Sequence, residues 1–360
     1  MSRCGTKFAI DIDELKEIAN GQVRAIAAEL LPNGRDNCGY WEVGSIEGEP
    51  GQSLKVNLRG SNVGLWTDFA APPGAPDRQG NIIHLVAAVR FGHNVGHACQ
   101  WLRSFLGLDH MDPNRLAAEK ARATRAAAKR LDEAEVKLEK NRRKAHELFL
   151  GADPYPGTPA ETYLVGRSID FRAHELEPPG AIRFRQNVYC AETRGNLPAM
   201  LAPIVGLDGR HRGTHRTYLQ ADGSGKAMLD EPKKSLGKFS GGFIPLWKGK
   251  HRCSMKDLPP GTPIYVSEGI EDGLSAVLAK PEIRCIAGVA LSNIGGLELP
   301  VQCPIYLLAQ RDEKLKAVAA FDSAVGRLQD RGHEVFLIWP KPGFKDYNDM
   351  LRDAAKSGGK

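Results

Sequence analysis

The 360-residue sequence is short of paired cysteines, of long apolar runs and of any strong charge bias, and each shortage removes a class of protein. Its seven cysteines (Cys4, Cys38, Cys99, Cys190, Cys253, Cys285, Cys303) are scattered, odd in number and never spaced as CxxC. A disulfide framework and a zinc site are both disfavoured, and a reducing, cytoplasmic setting is expected. No apolar run approaches the length of a membrane span, so no membrane partner is expected. Met1 to Asp13 has neither a long apolar stretch nor a small-residue cleavage site, so no secretory signal is expected. The net charge is only +6 and the pI near 8.9, which suits a nucleic-acid partner without demanding one. A P-loop is missing too. Gly223–Ser224–Gly225–Lys226–Ala227 looks like one, but Gln220 stands where the first glycine belongs and Ala227 replaces the Ser or Thr that would hold magnesium. No helicase motor is therefore expected.

What is present is a set of acids at strand ends. Pro263 to Val266 reads as a short apolar strand that delivers Glu268, followed by Gly269 and a helix with Asp272 in its first turn. Ile305 to Ala309 is a second strand and delivers Gln310–Arg311–Asp312–Glu313. Val335 to Trp339 is a third, followed by Lys345–Asp346–Tyr347–Asn348–Asp349. In open α/β sheets ligands sit beyond the carboxyl ends of the strands. Three such ends carrying carboxylates make a candidate site for magnesium, which takes a few hard oxygens and keeps waters for phosphate to displace.

The rest of the chain divides by composition, with room for two or three domains. Residues 11–31 have helical periodicity, ended by Pro32–Asn33–Gly34. Three alternating stretches, 40–44, 53–58 and 65–69, predict a small antiparallel sheet, and helices follow from Gly80 and over 95–106. Residues 109–150 are rich in Ala, Lys, Arg and Glu and nearly free of aromatics, which predicts a long solvated helix, first of all a spacer and secondly a basic face for phosphates. Beyond it, a short helix begins at Pro159, a strand covers 182–184, and 197–205 and 211–219 form a hairpin around Asp208–Gly209. Arg216 and Lys226 flank a glycine-rich turn, and Lys233, Lys234 and Lys238 follow closely, so this region has the character of a phosphate surface. Each of these side chains has a plain alternative as a surface charge.

Two resemblances connect these segments. The Ser53–Leu54–Lys55–Val56 strand, Gly64–Leu65–Trp66 and Gly80–Asn81–Ile82–Ile83 resemble the zinc-ribbon module of bacterial and phage primases. The metal ligands of that family are missing: Cys38 is alone, and His84, His93 and His97 lie on or near helices, with His93 and His97 spaced to share a helix face. A ribbon-like sheet without zinc is expected, with Trp41, Lys55, Arg59 and Trp66 either stacking on single-stranded nucleic acid or, for the tryptophans, lying in the core. Glu268–Gly269–x–x–Asp272, Leu307 to Asp312 and Lys345 to Asp349 resemble the Toprim domain. With the Ala160–Glu161–Thr162–Tyr163–Leu164, Pro198–Ala199–Met200 and His215–Arg216–Thr217–Tyr218–Leu219 segments, the chain looks like the Toprim primase-like proteins of phages, plasmids and mobile elements.

The resemblance implies an α/β fold: a Toprim sheet at 256–360, an α+β polymerising subdomain at 151–255, a helical linker at 111–150 and the ribbon-like module at 1–110. It implies a DNA primase that joins ribonucleoside triphosphates on a single-stranded DNA template with Mg²⁺ or Mn²⁺, with any replicative helicase acting in trans. Asp312 and Asp346 would bind metal, Glu268 would bind metal or act as a base, and Asp349 would add a ligand. Arg216, Lys226, Lys233, Lys234 and Lys238 would hold triphosphate or template. One departure matters. Gln310 stands where the family carries an aspartate, which removes a negative charge that Glu313 next door could restore. A Toprim nuclease and a non-catalytic single-strand-binding accessory protein are the competing readings.

Overall fold

The computed structural model describes residues 10–72, 74–312 and 315–357; Cys4 and Glu313 lie outside them. The chain divides into two compact units, Met1–Lys137 and Leu138–Lys360.

The first unit opens with α1 (Ile12–Asn20) and α2 (Val23–Leu30), where the sequence pattern predicts one helix. Asp11 caps α1 by accepting the Glu14 N–H at 2.8 Å. The chain then breaks at Gly21–Gln22. The Gly21 N–H turns back to the Ile18 carbonyl at 3.0 Å, and Gln22 leaves helical geometry at φ −123°. The apolar period survives the break because both helices bury their apolar side chains in one core. Five short strands follow as an antiparallel meander: β1 (Arg35–Asn37), β2 (Tyr40–Val43), β3 (Leu54–Asn57), β4 (Trp66–Asp68) and β5 (Gln79–Gly80). Then come α3 (Ile82–Phe91), capped by Asn81, and α4 (Val95–Phe105).

Trp66 is a core residue, 1% exposed, with its indole N–H on the Asn81 carbonyl at 3.1 Å. Trp41 is half-buried and bonds the Leu31 carbonyl at 3.0 Å, and Lys55 pairs with Glu42 at 2.7 Å. Trp66 is therefore closed to the stacking considered for it, while Trp41 keeps part of its ring exposed. His93 sits in the turn before α4 with its Nε2 2.7 Å from an Asp77 carboxylate oxygen, so it shares no helix face with His97. A 38-residue helix, α5 (Pro113–Leu150), starts where Asp112 accepts the Asn114 N–H at 2.9 Å. Within the first unit its Lys120 and Arg130 pair with Glu14 and Glu17 of α1, each at 2.6 Å.

The second unit holds two sheets. The first is antiparallel: β6 (Asp153–Pro154), β7 (Arg183–Cys190), β8 (Gly195–Val205), β9 (His211–Tyr218) and β10 (Lys233–Gly237), in the order β10-β9-β8-β7-β6, with α6 (Pro159–Val165) beside it. β7 runs well past the expected 182–184. A register shift between Arg185 and Val188 interrupts the alternation that would have marked it. The other sheet contains β11 (Ile244–Trp247), β12 (Ile264–Ser267), β13 (Arg284–Ala287), β14 (Ile305–Leu308) and β15 (Val335–Ile338) in the order β11-β13-β12-β14-β15. All are parallel except β11, which pairs antiparallel with β13. The crossovers carry α7 (Ile270–Ala279), α8 (Leu291–Ile294) and α9 (Leu315–Asp330), and α10 (Tyr347–Ser357) follows β15.

From β12 the chain steps to β13 on one side and then returns to β14 on the other. The gap between β12 and β14 is thus a topological switch point, where loops diverge and leave a crevice. One core joins the two sheets, packing Phe184, Met200 and Ile204 with Ile270, Leu274 and Val277 of α7. It fixes the basic edge of the antiparallel sheet against the strand ends of the parallel one.

Candidate active site

Glu268 follows β12 at the switch point. The Ser267 hydroxyl shapes the turn by donating to the Gly269 carbonyl at 2.7 Å. Burial pushes the Glu268 carboxyl above the usual range; the Leu291 N–H and Lys233 oppose this, and the charge of Asp312 adds to it. Across the crevice Asp312 is partly exposed, with the Lys345 ammonium at 3.3 Å. A cavity of about 310 Å³ opens beside both carboxylates, its walls apolar at Ile294, Leu307, Phe321 and Trp339. Arg311 also lines the cavity, donating to the Pro340 carbonyl at 2.9 Å and lying over the Trp339 ring.

A second pair of acids lies alongside. Asp272, in the first turn of α7, is 6% exposed. Burial, and then the charge of Asp346, push its carboxyl up to about 6. The Asn348 N–H at 3.1 Å and the Gln310 side-chain amide at 2.6 Å work the other way. Asp346 caps α10 by accepting the Asp349 N–H at 2.8 Å.

Among the described residues no three His, Cys, Asp or Glu side chains converge on one point, so Glu268, Asp312, Asp346 and Asp349 do not form a single ready-made cage. The donor chemistry still suits Mg²⁺ or Mn²⁺. These ions need only one or two carboxylates when waters and phosphate oxygens complete the shell. Burial first, and secondarily repulsion between Glu268 and Asp312 and between Asp272 and Asp346, raises the carboxyls of Glu268 and Asp272. A cation would relieve that repulsion.

The basic residues separate into two groups. Lys226 and Lys233 meet at Glu271, at 3.2 and 3.0 Å, and Tyr163 of α6 donates its hydroxyl to the same carboxylate at 2.7 Å. Burial acts to raise the Glu271 carboxyl, but Lys233, Lys226 and the Tyr163 hydrogen bond outweigh it and hold the group far below the usual range. Lys226 shares that one carboxylate with Lys233, so burial still pushes its ammonium down. The Lys233 ammonium lies beside Gly269, and its charge acts on the Glu268 carboxyl from there. Lys234 turns to the opposite side and pairs with Glu192 at 3.3 Å. Lys238 is exposed beyond the end of β10, near Glu298. Arg216 lies over the Tyr218 ring and donates to its hydroxyl at 3.1 Å. Of the five predicted basic residues, Lys226 and Lys233 are thus brought to the acids.

Sequence reasoning missed Glu271, Tyr163 and Asn348. Glu271 reads as an ordinary first-turn acid, and its partners stand 38, 45 and 108 residues away in the chain.

Residues 263–357 match the Toprim domain, and residues 139–246 match a domain of unknown function, DUF7146. The second unit therefore carries a Toprim domain built on the mixed α/β sheet described above. No curated protein matches the chain. Among solved structures, the zinc-binding and RNA polymerase domains of the Aquifex aeolicus primase match with 14% identity over 98% of this chain and 84% of that one, at a TM-score of 0.38. The primase fragment of the bacteriophage T7 primase-helicase protein matches with 14% identity over 57% of this chain and 76% of that one, at 0.37. Similarity at this level carries no inference about activity. What is established is a protein that carries a Toprim domain at 263–357.

Proposed function

We propose that the chain is a primase-like nucleotidyltransferase that makes short RNA primers on single-stranded DNA. The observation that supports this reading most is that Glu268 and Asp312 line one cavity at the β12/β14 switch point, with the Lys233 ammonium beside Gly269 near its rim. A divalent cation, Mg²⁺ or Mn²⁺, would be held by Glu268 and Asp312, with Asp346 and Asp349 alongside. When bound, it makes an attacking hydroxyl more acidic and neutralises a leaving pyrophosphate. Lys233 and Lys226 would bind the triphosphate and orient its α-phosphate. A primer 3′-oxygen forms the new bond to that phosphorus, the bond to the β-phosphate oxygen breaks, and pyrophosphate leaves. Glu268 would either hold that cation, the hydroxyl proton then passing to water, or with its raised carboxyl take the hydroxyl proton itself. Arg216, Lys234 and Lys238 along β9 and β10 would follow the template backbone. Any helicase would act in trans, and the setting is cytoplasmic.

A second reading, a single-strand-binding accessory protein with a weakened site, is favoured by the lack of three converging acids among the described residues. One incubation separates the two. The protein is mixed with single-stranded DNA, labelled ribonucleotides and Mn²⁺ or Mg²⁺. Short metal-dependent oligonucleotides that vanish in Glu268→Gln support the proposal. DNA cleavage points to a nuclease, and binding without product leaves the accessory role.

A further inference from the structure

Gln310 has no part in the proposed reaction, yet it sits at the centre of the strand-end cluster. Its side-chain amide donates to Asp272 Oδ2 at 2.6 Å, while the Asn348 N–H donates to Asp272 Oδ1 at 3.1 Å. Both oxygens of a carboxylate that is 6% exposed are thus taken by protein donors. One donor comes from the end of β14 and the other from the first turn of α10. Asn348 carries the tie further. Its own amide donates to the Ser275 hydroxyl at 3.1 Å and the Arg167 carbonyl at 2.9 Å, and the Arg167 guanidinium donates back to it at 2.9 Å. So α7, β14 and α10 are locked through one carboxylate, with neutral donors on both of its oxygens. A carboxylate at position 310 in the same place would set a like charge against Asp272, and only a shared proton, a cation or a rearrangement would restore contact.

We propose that Gln310 is a positioning residue that closes the strand-end cluster without a metal ion: its amide makes the link between β14 and Asp272 that two facing carboxylates would need a cation or a shared proton to make. The cluster is then already assembled when substrate arrives. The inference deepens the reading of this site as a divalent-cation site, and its metal arm rests on that reading.

The test is thermal unfolding of the full chain in EDTA and in saturating Mg²⁺ for the wild type, Gln310→Glu, Gln310→Leu and the exchange Gln310→Glu with Asp272→Asn. Gln310→Leu removes the bond, whereas Gln310→Glu keeps the shape and adds a charge. In EDTA, Gln310→Leu is expected to lose roughly 3 °C and Gln310→Glu roughly twice that or more. Mg²⁺ should recover Gln310→Glu but not Gln310→Leu, a response that a merely structural residue would not show. The exchange reverses donor and acceptor and should recover stability in EDTA, even where Gln310→Glu alone fails to fold. The inference is overturned if Gln310→Glu is no less stable than Gln310→Leu in EDTA, or if the exchange recovers nothing. It is also overturned if Mg²⁺ fails to recover Gln310→Glu although the wild type binds Mn²⁺ by electron paramagnetic resonance. A wild type that binds no Mn²⁺ removes the metal site instead, and the EDTA order alone then decides the role of Gln310.

Discussion

Replacing Glu271 with Gln probes the joint between the basic edge and the Toprim domain. Glu271 is 6% exposed and uses both oxygens on charged or hydroxyl partners, Lys226 at 3.2 Å, Lys233 at 3.0 Å and Tyr163 at 2.7 Å. The amide is isosteric and still accepts from Tyr163, so packing changes little. What it leaves behind is two ammonium groups without a counter-charge. Breaking a buried pair in this way costs roughly 3–5 kcal/mol. The Lys233 side chain is 36% exposed and retains water, which puts the expectation near the lower end, at about 3 kcal/mol. For a unit of this size that is a fall in Tm of roughly 6–12 °C. The pH profile carries a second check. The Glu271 carboxyl lies below its ordinary value of 4.5 in the folded chain. Its stabilisation is therefore fully present above that value and is lost as pH falls through the lower folded pKa. The gap between wild type and variant should be constant from neutral pH down to about 5 and close in stronger acid. Calorimetry that finds Glu271→Gln within about 2 °C of the wild type at neutral pH would refute the charge-pairing account.

Other consequences are as direct. Asp272→Asn should stabilise the metal-free protein at neutral pH by up to about 3 kcal/mol, because a carboxyl raised to about 6 from 3.8 is penalised when ionised. The Gln310 amide can turn to offer its oxygen to the new side chain, and the gain should fade as pH falls below about 6. Calorimetry across that range checks both. Lys233→Ala should raise KM for nucleotide roughly tenfold or more, while Lys234→Ala, paired with Glu192 on the other side, should change it less than about twofold; steady-state incorporation kinetics separate the two. Trp66→Ala should cost the first unit about 3–5 kcal/mol and leave single-stranded DNA affinity unchanged in the fraction that stays folded, read by denaturant melts and fluorescence anisotropy.

The strand ends were legible in the sequence because short apolar runs stop at acids, a pattern that survives without knowledge of the neighbours. Glu268, Gln310 and Asp312 stand where the periodicity of β12 and β14 puts them. The break between α1 and α2 was not legible, since the apolar period continues across Gly21–Gln22 and only the backbone turn departs. β11 and β13 were overlooked as well. Each is four residues long; β11 alternates in burial but is apolar throughout and contains Pro245, and β13 is buried throughout, so neither shows polar–apolar alternation in the sequence. The partners of Glu271 and Gln310 depend on which strand lies next to which. A lysine run reads as a phosphate surface in sequence, but pairing through β9 and β10 sends Lys233 to the acids and Lys234 to Glu192. Alternation along a strand decides that, and it becomes visible only once β10 is known to be a strand.

The account turns on whether the strand-end carboxylates hold a divalent cation. Titration of the purified chain with Mn²⁺, followed by electron paramagnetic resonance, measures this directly. Saturable binding that weakens at least tenfold in both Glu268→Gln and Asp312→Asn, with both variants still folded, is the predicted result. Unchanged Mn²⁺ binding in both variants, or none in the wild type, would contradict it.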